Sequence, residues 1–455
     1  MKVVHLSAGA GPMYCGSCLH SNTLAAALGK LGVDLLLVPL YTPLRTDEEN
    51  VSDDRLAMGG INVYLQHRWS LLGRLPRFLQ RLLDRPALVR WAARRGAQTR
   101  PERLGPLTVS VLRGHEGRVR KEVEKLSAWL AADVRPDVVH LSNVMLAGLA
   151  PALRARLSVP IVCTLSGEDS FLEKLPPPHG AEARAVLRQR AAELDALIAM
   201  NGYYARFMAD YLAVPAERIH VIPPGLLLDG HRKPAFPLPP GEGPRVRAAE
   251  GAPPSAFPKT IGFLGRICPD KGLHLLVEAL RLLAADPSVP PFRVRAAGYL
   301  EPADRPYLSG LLARLAGCGL ADRFEYLGEL DRPAKIAFLQ SLDVMTAPSV
   351  YPESKGLPVL EAWANGVPVV LPAHGAFPEM VEDTGGGLLF EPQNVPALAA
   401  ALARMLREDQ LAADCGRRAQ QAVHERYSAE RMARQTLELY ESILKRSREP
   451  FTQSR

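Results

Sequence analysis

The feature that limits the fold most is a series of short apolar runs, each stopped by glycine, proline or a polar loop. They fall at residues 2–6 (KVVHL), 35–40, 60–65 (INVYLQ), 136–141 (PDVVHL), 160–165 (PIVCTL), 195–200 (DALIAM) and 219–223 (IHVIP). They resume at 260–264, 292–296, 324–327, 344–347 and 367–371. Runs this short, with little alternation, suit strands covered on both faces. Helix-length intervals separate many of them, so the pattern is α/β with parallel strands. Open sheets of that kind bind ligands beyond the carboxyl ends of their strands.

A chain of 455 residues is too long for one ordinary core. Residues 232–258 are rich in proline, glycine and alanine and have no periodicity, which makes them a linker. The expected division is residues 1–231, the linker 232–258, residues 259–427, and a final helix with tail at 428–455. Helices are expected at 22–30, ended by Gly32, at 359–364, ended by Gly366, at 396–407 and at 428–444.

The most informative loop follows the run at 344–347. It carries Glu353, Gly356 and Leu357, and Glu361 lies one turn into the helix behind it. Free N–H groups at a helix start bind phosphate, and a glycine lets the phosphate come close. One carboxylate before that point and one after it can accept hydroxyls on either side. A diphosphate with a sugar at each end fits the pattern. After 260–264 come Gly265, Arg266, Lys271 and Gly272, two cations at a strand end where a diphosphate needs them.

PESKGLPVLEAWANGVPVVLPAHGAFPEMV resembles the Glu-x7-Glu donor motif of retaining GT-B glycosyltransferases of family 4, and Gly265-Arg266…Lys271-Gly272 matches their G-R-x4-K-G pattern. The resemblance implies two Rossmann-like α/β domains facing across a cleft (GT-B). Residues 1–231 would take the acceptor and residues 259–427 a nucleotide diphosphate sugar. By resemblance, Glu353 contacts the donor sugar, Gly356 and Leu357 offer backbone contacts to phosphate, and Glu361 holds the ribose diol. Arg266 and Lys271, with Gly265, would stabilise the departing diphosphate. Catalysis would then rest on Glu353, Arg266 and Lys271, with no metal and no cofactor. Departures from the pattern are Lys355, where phenylalanine is common, and Ala376, where a second glycine often follows Gly375.

The opening run leads into a glycine-rich loop at residues 7–20. Gly9 and Gly11 give G-x-G, but Tyr14 stands where a dinucleotide fingerprint needs glycine. By resemblance this loop faces the donor phosphates and the acceptor from across the cleft, with Gly9, Gly11 and Pro12 as the candidate residues. Ser166 stands where the family commonly has histidine, and it donates a hydrogen bond but does no acid–base work. Glu168 and Asp169 follow it, as acceptor contacts or as a helix cap with a first-turn acid. Cys15 and Cys18 form a C-x-x-C with no second pair, and the six cysteines are otherwise scattered, so no disulfide framework is expected. Two other readings stay open. One is a non-catalytic sugar-nucleotide-binding protein, favoured by Ser166. The other is a dinucleotide-dependent oxidoreductase using the Gly9 loop and the cysteine pair.

Net charge is +7, and the excess is local: residues 68–103 hold ten arginines against Asp84 and Glu102. Leu71, Leu72, Leu75, Phe78, Leu79, Leu82 and Leu83 recur at helical spacing there, broken by Pro76 and Pro86. Such a stretch suits a solvated helical pair, an anionic or lipid-linked acceptor, or peripheral contact with an anionic membrane. No nucleic-acid motif accompanies it. No apolar run is long enough to cross a bilayer and the start reads as a core strand, so a cytoplasmic protein is expected, with the inner membrane face as a possible station.

Overall fold

The computed structural model describes residues 1–9, 13–53, 56–58, 101–232 and 258–448; for 101–103 and 448 it gives the backbone only. The expected strand at 60–65, nearly all of the basic segment 68–103, Gly11 and Pro12 lie outside that set. The chain divides into two compact units, Met1–Gly225 with Ala429–Arg455, and Leu226–Ser428.

The first unit holds a sheet of β1 (Lys2–Ser7), β2 (Asp34–Pro39), β3 (Val138–Leu141), β4 (Ile161–Thr164), β5 (Ala196–Ala199) and β6 (Ile219–Val221). Its order is β2-β1-β3-β4-β5-β6 and every pair is parallel. The second unit holds β7 (Lys259–Leu264), β8 (Phe292–Ala297), β9 (Phe324–Tyr326), β10 (Val344–Thr346), β11 (Val369–Pro372) and β12 (Gly387–Phe390), in the order β12-β11-β10-β7-β8-β9, again all parallel. Both are doubly wound sheets. The direction of winding reverses between β1 and β3 in one and between β7 and β10 in the other. Strands β3, β4, β5 and β11 are buried at every residue, as strands covered on both faces are.

Two elements differ from the sequence pattern. The first helix runs Gly16–Lys30 and so takes in most of the C-x-x-C, which the pattern left in a loop. Cys15 is its N-cap, and Cys18 is buried against Ala25, Leu37 and Leu44. The buried face that starts the helix early therefore includes the cysteine. Strand β12 is not announced by the sequence, because it begins at the last of three glycines and sits at a sheet edge, with Leu389 39% exposed. Among the described residues no helix is long and apolar enough to cross a membrane.

The last helix, Ala429–Arg448, packs in the first unit against the helix Gly16–Lys30. Its Tyr440 hydroxyl lies 2.5 Å from Nδ1 of His140, whose Nε2 is 2.8 Å from Thr164 Oγ1. His140 stands opposite His5 in register, and their rings stack with centroids 4.4 Å apart. Both histidines are fully buried, and among the described residues neither ring nitrogen of His5 has a partner. Burial pushes His5 down to about 3; burial, and then the His5 charge, push His140 well below its ordinary range. The folded unit stays neutral here while the unfolded chain takes up protons below about pH 6.5. Stability is therefore whole above about 6.5 and falls as pH drops toward the folded values, by up to about 1.4 kcal/mol per pH unit for each histidine. Urea midpoints of this unit between pH 7.5 and 5 should fall accordingly. His5→Leu, which costs no hydrogen bond, should flatten the fall; an unchanged pH slope in that variant would show that the stack is not responsible.

Candidate active site

The winding reversal in the second sheet brings two loops together. The chain leaves β7 toward β8 on one side and leaves β10 toward β11 on the other, so the segments after β7 and β10 flank one crevice. They touch directly: Val350 N–H donates to the Asp270 carbonyl at 2.9 Å. Gly272 makes the approach possible. It has φ +73°, and a Cβ there would lie 1.8 Å from the Pro348 carbonyl oxygen.

This contact places Lys271 against the Glu353 loop. Lys271 Nζ donates to Glu353 Oε2 at 2.6 Å and to the Tyr351 hydroxyl at 2.6 Å. The Tyr351 hydroxyl lies 3.2 Å from the same carboxylate oxygen, and the ammonium sits 4.9 Å from the tyrosine ring centre. Two of the three lysine N–H groups are used. Burial works against the Lys271 charge, but Glu353 outweighs it and holds the amine above its usual range. Burial likewise opposes the Glu353 carboxylate, and Lys271 outweighs that and holds it below the usual range. Burial, then Glu353, push the Tyr351 phenol up to about 12. The cluster is thus cation, anion and neutral phenol across the physiological range.

A third loop braces it. Ala376 N–H donates to the Glu353 carbonyl at 2.8 Å. Gly375 has φ +64°, and a Cβ there would lie 2.5 Å from Glu353 N. Gly356, at φ +66°, caps the helix Leu357–Ala364. Leu357 is that helix's first residue and is buried. Glu361, on the same helix, is 5% exposed and accepts from Lys335 Nζ of the helix Arg332–Gln340. Gly265 lies at the end of β7, where the Gly298 turn packs on its carbonyl, and Arg266 beside it is exposed. Arg266 is near enough to Tyr351 to act on its phenol by charge.

In the first unit the expected trio after β4 is drawn together differently. Glu168 is buried, and its Oε1 accepts from Val144 N–H at 3.1 Å and from Ser166 Oγ at 3.1 Å. Its Oε2 accepts from Ser166 N–H at 2.8 Å. The Tyr204 hydroxyl donates to Asp169 Oδ1 at 2.7 Å and accepts from Gly167 N–H at 2.9 Å. Glu168 thus pins the β4 loop to the segment after β3, and the Ser166 hydroxyl is spent on it. Gly9 is required by the chain itself, because a Cβ there would lie 1.9 Å from the Thr42 carbonyl oxygen. Among the described residues Cys15 and Cys18 form no disulfide, and no group of three His, Cys, Asp or Glu is placed to hold a metal ion.

Two family models match the chain, "Glycosyl transferases group 1" over residues 252–422 and "Glycosyltransferase Family 4" over residues 88–229. The D-inositol 3-phosphate glycosyltransferase of Geodermatophilus obscurus is 31% identical over 323 residues, 67% of this chain and 69% of that protein. The chain belongs to the group 1 glycosyltransferases. The Nocardia farcinica protein of the same name is 29% identical over 315 residues, 68% of this chain and 64% of that protein, so the match spans just under two thirds of that relative. Sucrose-phosphate synthase from Thermosynechococcus elongatus superposes with a TM-score of 0.68 at 19% identity, over 98% of this chain and all of that one. Anabaena HepE in complex with UDP gives 0.63 at 18%, over 97% of this chain and all of that one. The fold is GT-B.

Within this glycosyltransferase, sequence patterns passed over Tyr351 and Lys335. Tyr351 lies two residues before Glu353 and had no motif to mark it. Lys335 did leave a signal, since it falls on the same helical face as Ile336 and Leu339, where a charge is out of place unless paired.

Proposed function

We propose that this glycosyltransferase moves a hexose-type sugar from a nucleoside diphosphate sugar to a hydroxyl of an anionic acceptor, with retention at the anomeric carbon and without a metal ion. The Lys271–Tyr351–Glu353 cluster beside the helix start at Gly356 carries the reading. It sets a fixed cation and open backbone N–H groups at the end of β10, where a diphosphate would gain charge as its bond to the sugar breaks. Arg266 adds a second cation. Glu353 is held ionised next to that charge and has Oε2 committed to Lys271, which leaves Oε1 for a sugar hydroxyl. Glu361 takes the ribose diol. For retention, the acceptor hydroxyl attacks on the face the diphosphate leaves. The bond from the anomeric carbon to phosphate oxygen breaks, the bond to acceptor oxygen forms, and the hydroxyl proton passes to the leaving diphosphate.

HepE was solved with UDP, and the relatives named above act, by name, on a phosphorylated inositol. Those two facts and the ten arginines of residues 68–103 support a nucleoside diphosphate donor and an anionic acceptor. The test is a thermal-shift panel of UDP-, GDP- and ADP-sugars followed by turnover with inositol phosphates. A ligand at 100 times its Kd should stabilise by about 2.7 kcal/mol. Turnover should survive a chelator, and the product should keep the donor's anomeric configuration by NMR. A panel with no stabilising nucleotide sugar would remove the reading.

A further inference from the structure

Glu361 and Lys335 form a buried ion pair between two helices. Glu361 is 5% exposed and Lys335 8%. Removing two charges from water costs more than their attraction returns unless the geometry is fixed and the remaining donors and acceptors are used. An apolar pair of similar size would hold these two helices together at least as well. The pair is nevertheless built on a rigid base. Arg332, one turn ahead of Lys335, donates to the carbonyls of Leu227 at 2.7 Å and Asp229 at 2.9 Å. Asn365 is fully buried; its Nδ2 donates to the Glu361 carbonyl at 2.9 Å and meets His231 Nδ1 at 2.8 Å. Its Oδ1 accepts from Gln340 Nε2 and from Arg232 N–H, both at 3.2 Å. Both helices are therefore fixed behind the pair. Lys335 takes Oε1 of Glu361, and Oε2 has no partner among the described residues.

We propose that Lys335 is a positioning residue for nucleotide recognition: it holds the Glu361 carboxylate turned, so that the free oxygen meets the ribose hydroxyls and the site selects ribo- over 2′-deoxyribonucleotides. The proposal rests on the reading of Glu361 as the ribose contact. A carboxylate without a fixed partner turns about its last side-chain bond and offers its oxygens in no set direction. Clamped at one oxygen, it presents the other at one angle, and two neighbouring hydroxyls are told from one.

The experiment compares dissociation constants of UDP, GDP and ADP with those of their 2′-deoxy forms by calorimetry. Wild type should favour the ribo form of its nucleotide by about tenfold or more, the range of one charge-assisted hydrogen bond. Lys335→Met should weaken the ribo form about tenfold, leave the deoxy form within about twofold, and bring the ratio near one. Where Lys335→Met does not fold, Lys335→Gln, which keeps a donor without the charge, should lower the ratio at least about threefold. A folded Lys335 variant with the wild-type ratio overturns the proposal. Glu361→Gln separates the two levels. If it loses the ribose preference while the Lys335 variants keep it, only the positioning role fails. If it retains the preference, or if no nucleotide binds wild type, the reading beneath fails as well.

Discussion

Lys271→Ala is expected to leave a folded protein that still binds nucleotide and turns over about a hundred to a thousand times more slowly. The reason lies in when the charge is needed. In the free enzyme Lys271 is shared between Glu353 and the Tyr351 hydroxyl, so its field is largely answered. As the sugar leaves, negative charge collects on the diphosphate, and an interaction that strengthens at that moment lowers the barrier rather than the ground state. The loss should therefore fall on kcat more than on KM. The pH profile adds an independent sign. Lys271 is what holds the Glu353 carboxyl below its usual range against burial. Without the lysine that carboxyl rises, so the acid side of the activity profile should move to higher pH. Lys271→Arg should rescue little, because a planar fork does not reproduce the point charge between phenol and carboxylate. A fully active Lys271→Ala enzyme would remove the leaving-group role, and an unmoved acid limb would remove the coupling to Glu353.

Much of the fold was legible because its strands are buried on both faces. β3, β4, β5, β7, β8 and β10 lie within a residue or two of the apolar runs that mark them. What a run of valines does not state is which strand it will pair with. The neighbourhood of β7 and β10 arises from the winding of the whole sheet. For that reason Lys271 and Glu353 were each singled out by local chemistry, as an expected phosphate cation and an expected sugar carboxylate, while their pairing was not. Glu168 shows the opposite limit. An acid two residues beyond Ser166 looks available in sequence, and only the fold reveals that Val144 N–H and Ser166 consume it. Glu361 reads as a helix-end acid and proves to be paired with Lys335, whose place among Ile336 and Leu339 was the clue.

Gly272→Ala is expected to cost the second unit more than about 4 kcal/mol and to abolish nucleotide binding, although the residue touches no ligand. Two costs add. The first is conformational: φ is +73°, where a side chain costs roughly 1–2 kcal/mol. The second is contact. The new methyl would lie 1.8 Å from the Pro348 carbonyl oxygen, and backbone cannot rotate away as a side chain can. Relief requires the loops after β7 and β10 to separate, which breaks the Val350–Asp270 hydrogen bond and draws Lys271 off Glu353. Gly319 supplies the control within the same unit. It has φ +67°, and a Cβ there meets nothing within 4 Å, so Gly319→Ala bears the conformational cost alone. For a unit of this size 1 kcal/mol moves the melting temperature by about 2–4 °C. Gly319→Ala should therefore lower it by a few degrees and keep full nucleotide affinity. Gly272→Ala should lower it by roughly 8–16 °C and lose that affinity, measured by calorimetry at a temperature where both variants remain folded. Equal losses in the two variants would mean that φ alone matters and that the closeness of the two loops carries no energy. A larger loss at Gly272 means the crevice is held shut by the absence of one methyl group, which is why a glycine follows the lysine.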